Sequence, residues 1–249
     1  MKDEIHFQVS NYYDELSSIY DEIFDDSVSR AEDLIISEVL SQLIHEGFHV
    51  LDCGCGTGLG KELISAKNVH YHGIDISKKM IEQARAKHPD STFHISDMAD
   101  LSHYEDESFD AIISINGSFS HVHDPTPVSN EMYRVLKPGG KLLTMVYSRY
   151  SLGRLLHSWR HGVLTKEALY SVRNADNEVL VPASFYDRGR LLKTFSKFKN
   201  HEIDCLNIMA ELIRLNLSLS ISLKIMKLER RLPITIRQLA HALTITCEK

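Results

Sequence analysis

Short apolar runs alternate with helical patterns between residues 47 and 147, and this alternation constrains the fold more than any other feature. The first run, His49–Cys53, ends at glycines, and the second, Val69–Asp75, is followed by Ser77 as a candidate helix N-cap. Three more runs follow at 92–96, 109–115 and 141–147. Strands that alternate with helices predict right-handed crossovers and a parallel sheet covered by helices on both faces. Ligands of such a sheet bind beyond the carboxyl ends of its strands.

Patterns outside this core are weaker. Residues 11–45 are predicted to be helical, and Lys61–Lys67 also suits a helix. Residues 212–230 fit both a strand and a helix, and we interpret them as a helix; Ala242–Cys247 predicts a closing edge strand. The helical stripe expected within 11–45 consists of Leu34, Ile35, Val39, Leu40, Leu43 and Ile44.

Composition excludes some classes of function. The net charge of −6 argues against general affinity for nucleic acid, because binding a polyphosphate needs a positive field. The amino end lacks an apolar signal region, and no run of roughly twenty apolar residues occurs, so we expect a cytoplasmic protein without a membrane span. Four cysteines without metal-site spacing suit free thiols in a reducing compartment.

The glycine-rich segment Val50–Gly60 carries the clearest chemical signal. Glycines at 54, 56 and 58 after a strand allow a sharp turn with positive φ and let a ligand approach the backbone closely. Asp75 ends the second strand, where a carboxylate can accept hydrogen bonds from both hydroxyls of a ribose. Leu59 stands where the dinucleotide fingerprint has its third glycine, which disfavours a nicotinamide-dependent enzyme.

Four blocks resemble the class I S-adenosylmethionine-dependent methyltransferases, in the group that includes ubiquinone-biosynthesis and small-metabolite enzymes. They cover residues 50–147 in matching order: Leu51–Gly58, Gly73–Ser77, Ser96–Ala99, and Phe109–Ser114 with Arg134–Leu142. The resemblance implies S-adenosyl-L-methionine as cofactor. It also implies a Rossmann-like α/β fold: a doubly wound, mostly parallel sheet with an antiparallel carboxyl-terminal edge strand, amino-terminal helices and a small helical cap.

At 249 residues and with no visible linker, the chain is expected to form a single domain, 1–249, with 43% apolar residues for one core; two small domains would require a linker. Its expected parts are amino-terminal helices (1–46), a cofactor-binding core (47–147), a cap insertion (148–186), and the carboxyl-terminal part of the sheet with helices (187–249). Whether the chain forms a homodimer is left open.

The resemblance also implies a set of cofactor-binding residues. In the family, the block at 52–58 wraps the methionine moiety, the acid matching Asp75 holds the ribose, and Ile76 flanks the adenine. Asp97 with Met98 meets the adenine edge, and Asn116 lies beside the cofactor. The full set is Tyr20, Asp52, Gly54, Cys55, Gly56, Thr57, Gly58, Asp75, Ile76, Met80, Asp97, Met98, Ala99 and Asn116. Structural alternatives are a turn cap for Asp52 and a core position for Met98.

His121 is the candidate catalytic residue. It follows the fourth strand, at the end where the methyl acceptor is expected, and an imidazole can act as a general base or orient the acceptor atom. The alternative is a histidine that packs or caps the next helix. No metal site is expected, because neither the pair His70/His72 nor the pair His121/His123 has a third ligand at suitable local spacing.

Acceptor contacts are expected from the amino-terminal helices and from the cap. The candidates are Tyr13, Arg149, Arg154, Trp159 and Tyr186, with Arg160 as a further arginine. Residues 149–199 hold ten Lys/Arg against four Asp/Glu, so they are predicted to face an anionic acceptor; solvated helix faces are the alternative.

These observations predict methyl transfer to an O or N atom of a small metabolite or natural-product intermediate. Base methylation is disfavoured, because Asn116-Gly-Ser-Phe119 lacks the two prolines common in such enzymes and no basic, aromatic-rich module is present. Two alternatives remain: a catalytically inert S-adenosylmethionine-binding regulator or scaffold, and a tRNA-modifying methyltransferase.

Overall fold

A computed structural model describes residues 2–161, 167–170, 181–208 and 217–249 of the chain. Within them, seven strands form one sheet in the order β3-β2-β1-β4-β5-β9-β8, and two further strands form a small separate sheet. The strands are β1 (His49–Cys53), β2 (His70–Asp75), β3 (Thr92–Ile95), β4 (Phe109–Ser114), β5 (Leu136–Tyr147), β6 (Glu167–Tyr170), β7 (Val181–Ser184), β8 (Lys199–Leu206) and β9 (Ala242–Glu248).

Helices cover both faces of the large sheet. Two apolar clusters pack on opposite faces: one holds Leu51 and Ile112, and the other holds Val50 and Ile113. This separation follows from the strand geometry, because successive side chains of a strand point to opposite faces. The helices are α1 (Lys2–Leu16), α2 (Tyr20–Ile23), α3 (Ser27–Leu43), α4 (Leu59–Leu63), α5 (Lys78–Lys87), α6 (Pro125–Val135), α7 (Leu152–His161), α8 (Arg188–Thr194), α9 (Leu219–Glu229) and α10 (Ile234–Arg237), with a 3-10 turn at Ser118–His121.

Parallel pairing brings four strand ends to one edge of the sheet. β1 pairs in parallel with both β2 and β4, with Cys53 beside Ile74 and Asp52 beside Ile113. β2 pairs in parallel with β3 up to Asp75. The loops that follow β1, β2, β3 and β4 therefore meet at the same edge, where ligands of such sheets bind.

The predicted fold class is confirmed. The N-cap role of Ser77 is also confirmed, because its Oγ accepts a hydrogen bond from Met80 N at 3.1 Å. The closing strand is antiparallel to β5, yet it lies between β5 and β8 rather than at the edge. The outermost strand on this side of the sheet is β8. The hydrophobic pattern of the sequence did not reveal it, because most of its residues are exposed or half-buried.

Three helical details differ from the expectations. α4 ends at Leu63, so the predicted helix 61–67 is shorter. Leu34 of the predicted stripe is 44% exposed, whereas Ala31 and Ile36 are buried instead. The interpretation of 212–230 as helix holds for α9, and residues 212–216 lie outside the described part.

The segment 148–186 contains α7 and also the antiparallel pair β6 and β7, so it is not purely helical. Residues 162–166 and 171–180 lie outside the described part of the chain. β7 borders the carboxyl edge of the sheet, since Val181 packs against Val9 and Tyr12 of α1. Among the described helices, none is both long and apolar enough to span a membrane.

Candidate active site

The glycine segment forms the predicted turn between β1 and α4. Gly54, Gly56 and Gly58 have φ values of +79°, +53° and +97°, a region that side chains rarely adopt. A Cβ on Gly56 would meet nothing within 4 Å, so the backbone is open to a ligand there. A Cβ on Gly54 would lie 2.4 Å from Ser118 Cβ. A glycine at this position therefore allows the turn to pack closely against the loop after β4.

Asp75 lies at the carboxyl end of β2 and organises this turn. Its Oδ2 accepts a hydrogen bond from Gly56 N at 2.9 Å, and its Oδ1 accepts one from Ser77 N at 2.8 Å. Each carboxylate oxygen has more than one acceptor site, so both can still bind a ligand hydroxyl. Burial raises the pKa of Asp75 above its ordinary value, and backbone hydrogen bonds with Ser77, Gly56 and Ile76 oppose that rise.

A cavity of about 190 Å³ lies over these strand ends. It is enclosed by the glycine turn, the loops after β2, β3 and β4, and α1. The sequence-predicted residues that line it are Tyr13, Tyr20, Gly54, Cys55, Gly56, Thr57, Asp75, Ile76, Met80, Asp97, Met98, Ala99, Asn116 and His121. The structure thus brings residues from six separate segments of the chain to one cavity.

Asp52 and Gly58 do not line this cavity. Asp52 is fully buried beneath the turn, where its Oδ2 accepts a hydrogen bond from Tyr71 Oη at 2.5 Å. Its Oδ1 has no hydrogen-bond partner among the residues that the structure describes. Burial raises the pKa of Asp52 to about 7. A Cβ on Gly60 would lie 2.2 Å from Asp52 Oδ2, so the carboxylate fills the space that this glycine leaves. Gly58 occupies the N-cap position of α4.

The predicted cap contacts are also placed away from the cavity. Arg149 forms an ion pair with Asp187 at 3.3 Å, and the Arg154 guanidinium lies 3.4 Å from the centre of the Phe185 ring. Trp159 is 84% exposed, and Tyr186 is fully buried in the core. Neither arginine nor either aromatic ring lines the cavity, because each is committed to local packing or to solvent; the side chain of Arg160 lies outside the described part.

Besides Tyr13, helix α1 provides wall residues that the sequence motifs did not indicate. Ile5, His6 and Val9 line the cavity. The helix is fixed to the strand ends, since Ser10 Oγ donates to Ile76 O at 3.1 Å and His6 Nε2 lies 3.7 Å from Asp97 Oδ2. A signal existed in the sequence: Val9, Tyr12 and Leu16 recur at helical spacing and are buried.

His121 and Tyr13 form a hydrogen-bonded pair in the lining of the cavity. Tyr13 Oη lies 2.9 Å from His121 Nε2, and His121 Nδ1 lies 2.9 Å from Pro182 O. A carbonyl can only accept, so Nδ1 carries the ring proton, and Nε2 accepts the phenolic proton of Tyr13. Burial lowers the pKa of His121 to about 4, and the hydrogen bond to Pro182 partly opposes that shift.

The charge of the cavity wall is negative. Asp75, Asp97 and Asp124 line it, and its described lining includes no Lys or Arg side chain. Because an acidic wall stabilises positive charge, the cavity favours a cationic ligand over an anionic one. Among the described residues, no group of three or more His, Cys, Asp or Glu is placed to hold a metal ion.

Comparison with known proteins shows that this chain is similar in sequence to methyltransferases. Residues 51–144 match a family model described as "Methyltransferase domain". The chain is 29% identical to Methyltransferase GfsG of Streptomyces halstedii over 199 residues, covering 71% of both proteins. It is 32% identical to a ubiquinone biosynthesis O-methyltransferase of Xanthomonas oryzae pv. oryzae over 115 residues, which cover 45% of this chain and 48% of that relative. The match therefore spans about half the length of this second relative.

A solved structure shares the fold over nearly the whole chain. It is described as an S-adenosylmethionine-dependent methyltransferase, possible histamine N-methyltransferase, from Thermotoga maritima, with a TM-score of 0.64 and 20% identity. The alignment covers 96% of this chain and 99% of that one. Residues 51–144 thus match the methyltransferase domain family, and the chain as a whole shares the fold of a protein described as an S-adenosylmethionine-dependent methyltransferase.

Proposed function

We propose that this protein transfers the methyl group of S-adenosylmethionine to an O or N atom of a small molecule. One observation carries the proposal: a single cavity is lined both by the glycine turn with Asp75 and by the Tyr13–His121 pair. Methyl transfer needs a donor and an acceptor held in line within one space, and this cavity offers groups for both.

The residues present fit the proposed cofactor. Gly56 leaves the backbone open, and Asp75 has acceptor sites for two ribose hydroxyls. The acidic wall suits a ligand with a positive charge. When bound, S-adenosylmethionine supplies an electrophilic methyl group on a sulfonium sulfur. We assign cofactor contacts to the residues that the family resemblance implies and that also line the cavity: Tyr20, Gly54, Cys55, Gly56, Thr57, Asp75, Ile76, Met80, Asp97, Met98, Ala99 and Asn116.

Asp52 and Gly58 support the turn instead of touching the cofactor. Asp52 fills the space beside Gly60 and is bound by Tyr71, while Gly58 gives the positive φ at which α4 begins. Both residues thus act on the shape of the glycine turn. Their predicted cofactor roles become positioning roles in this proposal.

The Tyr13–His121 pair orients the acceptor. Because Tyr13 donates its only proton to His121 Nε2, its oxygen can meet any further partner only as a hydrogen-bond acceptor. A methyl acceptor that presents an O–H or N–H group therefore matches it. A pKa of about 4 makes His121 a weak base near neutral pH, which favours orientation over proton abstraction for this residue.

Turnover with labelled donor tests the proposal. The purified chain is incubated with methyl-labelled S-adenosylmethionine and a panel of small alcohols, phenols and amines, and label in the product is measured. We expect label transfer with at least one small acceptor and none to unmodified tRNA. Cofactor binding without transfer to any member of a broad metabolite extract would support an inert binding protein, and transfer to tRNA alone would support the nucleic-acid alternative.

A further inference from the structure

A positively charged segment packs against α6, whose first turn contributes to the cavity lining. Residues 188–199 hold five Lys/Arg and no Asp/Glu, although the whole chain carries a net charge of −6. Part of this segment forms α8, which packs against α6 through a hydrogen bond from Ser129 Oγ to Thr194 O at 2.8 Å. The positive charge therefore belongs to a defined junction between two helices.

A solvent-exposed groove of about 730 Å³ runs along this junction. Its cationic walls come from Arg190, Lys193 and Lys197, and its neutral polar groups include Thr126, Asn130 and Ser196. The lining thus combines cationic side chains with hydroxyl and amide groups, which together match the hydrogen-bonding needs of an oxyanion.

The positive charge of the groove is largely uncompensated. Lys193 and Lys197 are exposed, and neither has an ion-pair partner among the described residues. Asp187 is the acidic residue among the described lining of the groove. Its carboxylate forms an ion pair with Arg149 Nη1 at 3.3 Å and accepts a hydrogen bond from Arg190 N at 2.9 Å. An anion entering the groove would meet two cations that have no carboxylate partner within the described part of the chain.

The groove and the cavity share one turn of helix. Asp124 and Pro127 line the cavity, whereas Pro125 and Thr126, between them in sequence, line the groove. The beginning of α6 therefore lies between the cavity and the groove, and a molecule that contacts both has to extend over it. The two regions have opposite character, because the cavity wall is acidic and the groove is basic.

We propose that the methyl acceptor carries an anionic group, a phosphate or a carboxylate, that binds Lys193 and Lys197 in this groove while its reacting O–H or N–H group reaches Tyr13 in the cavity. This inference rests on the proposed function for the reacting end. It replaces Arg149 and Arg154, which the sequence suggested, with cations that face an open groove.

A titration that does not depend on methyl transfer tests the groove. Backbone amide chemical shifts of the full-length chain are followed while glycerol 3-phosphate, glycerate or glycerol is added. We expect shifts in α8 and at the start of α6 with at least one anion and none with glycerol. The double variant Lys193→Ala/Lys197→Ala should weaken anion binding about 3- to 30-fold, the loss of two exposed charge contacts.

The matched control removes the same charge elsewhere. Lys224 and Arg231 are exposed and have no ion-pair partner among the described residues, so Lys224→Ala/Arg231→Ala changes the net charge equally. This control should bind the anion as the wild type does. Equal weakening by both double variants would mean that only the overall field matters, and absence of anion-induced shifts in α8 would also overturn the proposal.

The test of anion binding in the groove can be distinguished from the test of the proposed methyl transfer. Affinity for S-adenosylhomocysteine, measured on the same proteins, should be unchanged by Lys193→Ala/Lys197→Ala. With an active acceptor in hand, this variant should raise the KM for an anionic acceptor and leave kcat within about twofold, since groove contacts act equally on the bound and transition states. Failure of cofactor binding with intact anion binding would contradict the proposed function alone.

Discussion

Tyr13 Oη and His121 Nε2 lie 2.9 Å apart although 108 residues separate the two in sequence. The contact joins α1 to the turn after β4, so the same hydrogen bond holds a wall of the cavity in place and sets the proton position on the phenol. The direction of the bond follows from Pro182 O, which accepts from Nδ1 at 2.9 Å and leaves Nε2 as the acceptor.

Removing either partner should impair turnover to a similar extent. Tyr13→Phe deletes the oxygen, and His121→Asn keeps a donor near Pro182 while deleting the Nε2 acceptor. Each should lower kcat/KM about tenfold, the worth of one net hydrogen bond, and the double variant should lose little more than either single variant because the two residues act as a unit.

Steady-state kinetics with an active acceptor provide the check on this pair. A fall of more than a hundredfold confined to His121→Asn would instead identify His121 as a general base, since that is the range of such catalysis. A loss below about twofold in all three variants, smaller than one hydrogen bond accounts for, would remove the pair from catalysis.

His121 should titrate far below an ordinary histidine. Burial lowers its pKa to about 4, so the imidazole stays neutral across the physiological range. Histidine ring resonances followed by NMR from pH 3.5 to 8 should show one imidazole, absent in His121→Asn, that does not titrate between pH 5.5 and 8. A midpoint near 6.5 for that resonance would contradict the buried, neutral state.

The lowered pKa of His121 should also make the unfolding free energy depend on pH. Between about pH 4 and 6.5 the unfolded chain binds a proton at His121 that the folded chain does not, so the contribution of the neutral imidazole is complete above pH 6.5 and declines as the pH falls. Relative to His121→Asn, the wild type should lose about 1 to 2 kcal/mol of unfolding free energy between pH 7.5 and 5. Denaturant unfolding at the two pH values measures this difference, and parallel behaviour of both proteins would contradict it.

Asp52 should lower the unfolding free energy at high pH. Its folded pKa is raised to about 7, so the folded chain retains a proton that the unfolded chain releases above its ordinary pKa, and the cost grows as the pH rises from about 4 to 7. Between pH 5 and 8 the unfolding free energy of Asp52→Asn should gain about 2 kcal/mol relative to the wild type.

Tyr71→Phe tests the partner of that carboxylate. The change leaves both oxygens of Asp52 buried without a side-chain donor, so we expect destabilisation by about 1 to 3 kcal/mol at pH 8. Combining Tyr71→Phe with Asp52→Asn should recover part of this loss, because the orphaned charge is removed. Equal stability of Tyr71→Phe and the wild type would show that the hydrogen bond does not stabilise the carboxylate.

The sequence predicted the features that local chemistry determines. The glycine turn, the Ser77 cap and the position of Asp75 follow from turn geometry and strand ends, which a short segment encodes. Contacts between distant segments were not accessible in the same way. The ion pair of Arg149 with Asp187 and the burial of Tyr186 depend on how the cap packs, so positive charge and aromaticity alone could not place these residues.

Edge and surface positions escaped prediction for a related reason. β8 has few buried residues, since its outer side has no neighbouring strand, and its pattern resembles a polar loop. The cations of α8 were counted in the basic segment, yet only the packing of α8 on α6 shows which of them face a groove. The sequence shows how many charged side chains a segment carries, whereas the fold is needed to show which surface each of them faces.

Calorimetric titration with S-adenosylmethionine and S-adenosylhomocysteine tests the central claim most directly. Wild type and the control Asp90→Ala, an exposed acid outside the cavity lining, should bind both ligands with one site per chain. Asp75→Ala should weaken binding by roughly 2 to 4 kcal/mol, because two charge-assisted hydrogen bonds are lost and partly replaced by water. Asp75→Asn, which keeps the shape, should fall between them. Absence of heat with the wild type, or equal affinity in Asp75→Ala, would contradict the assignment of this cavity to S-adenosylmethionine.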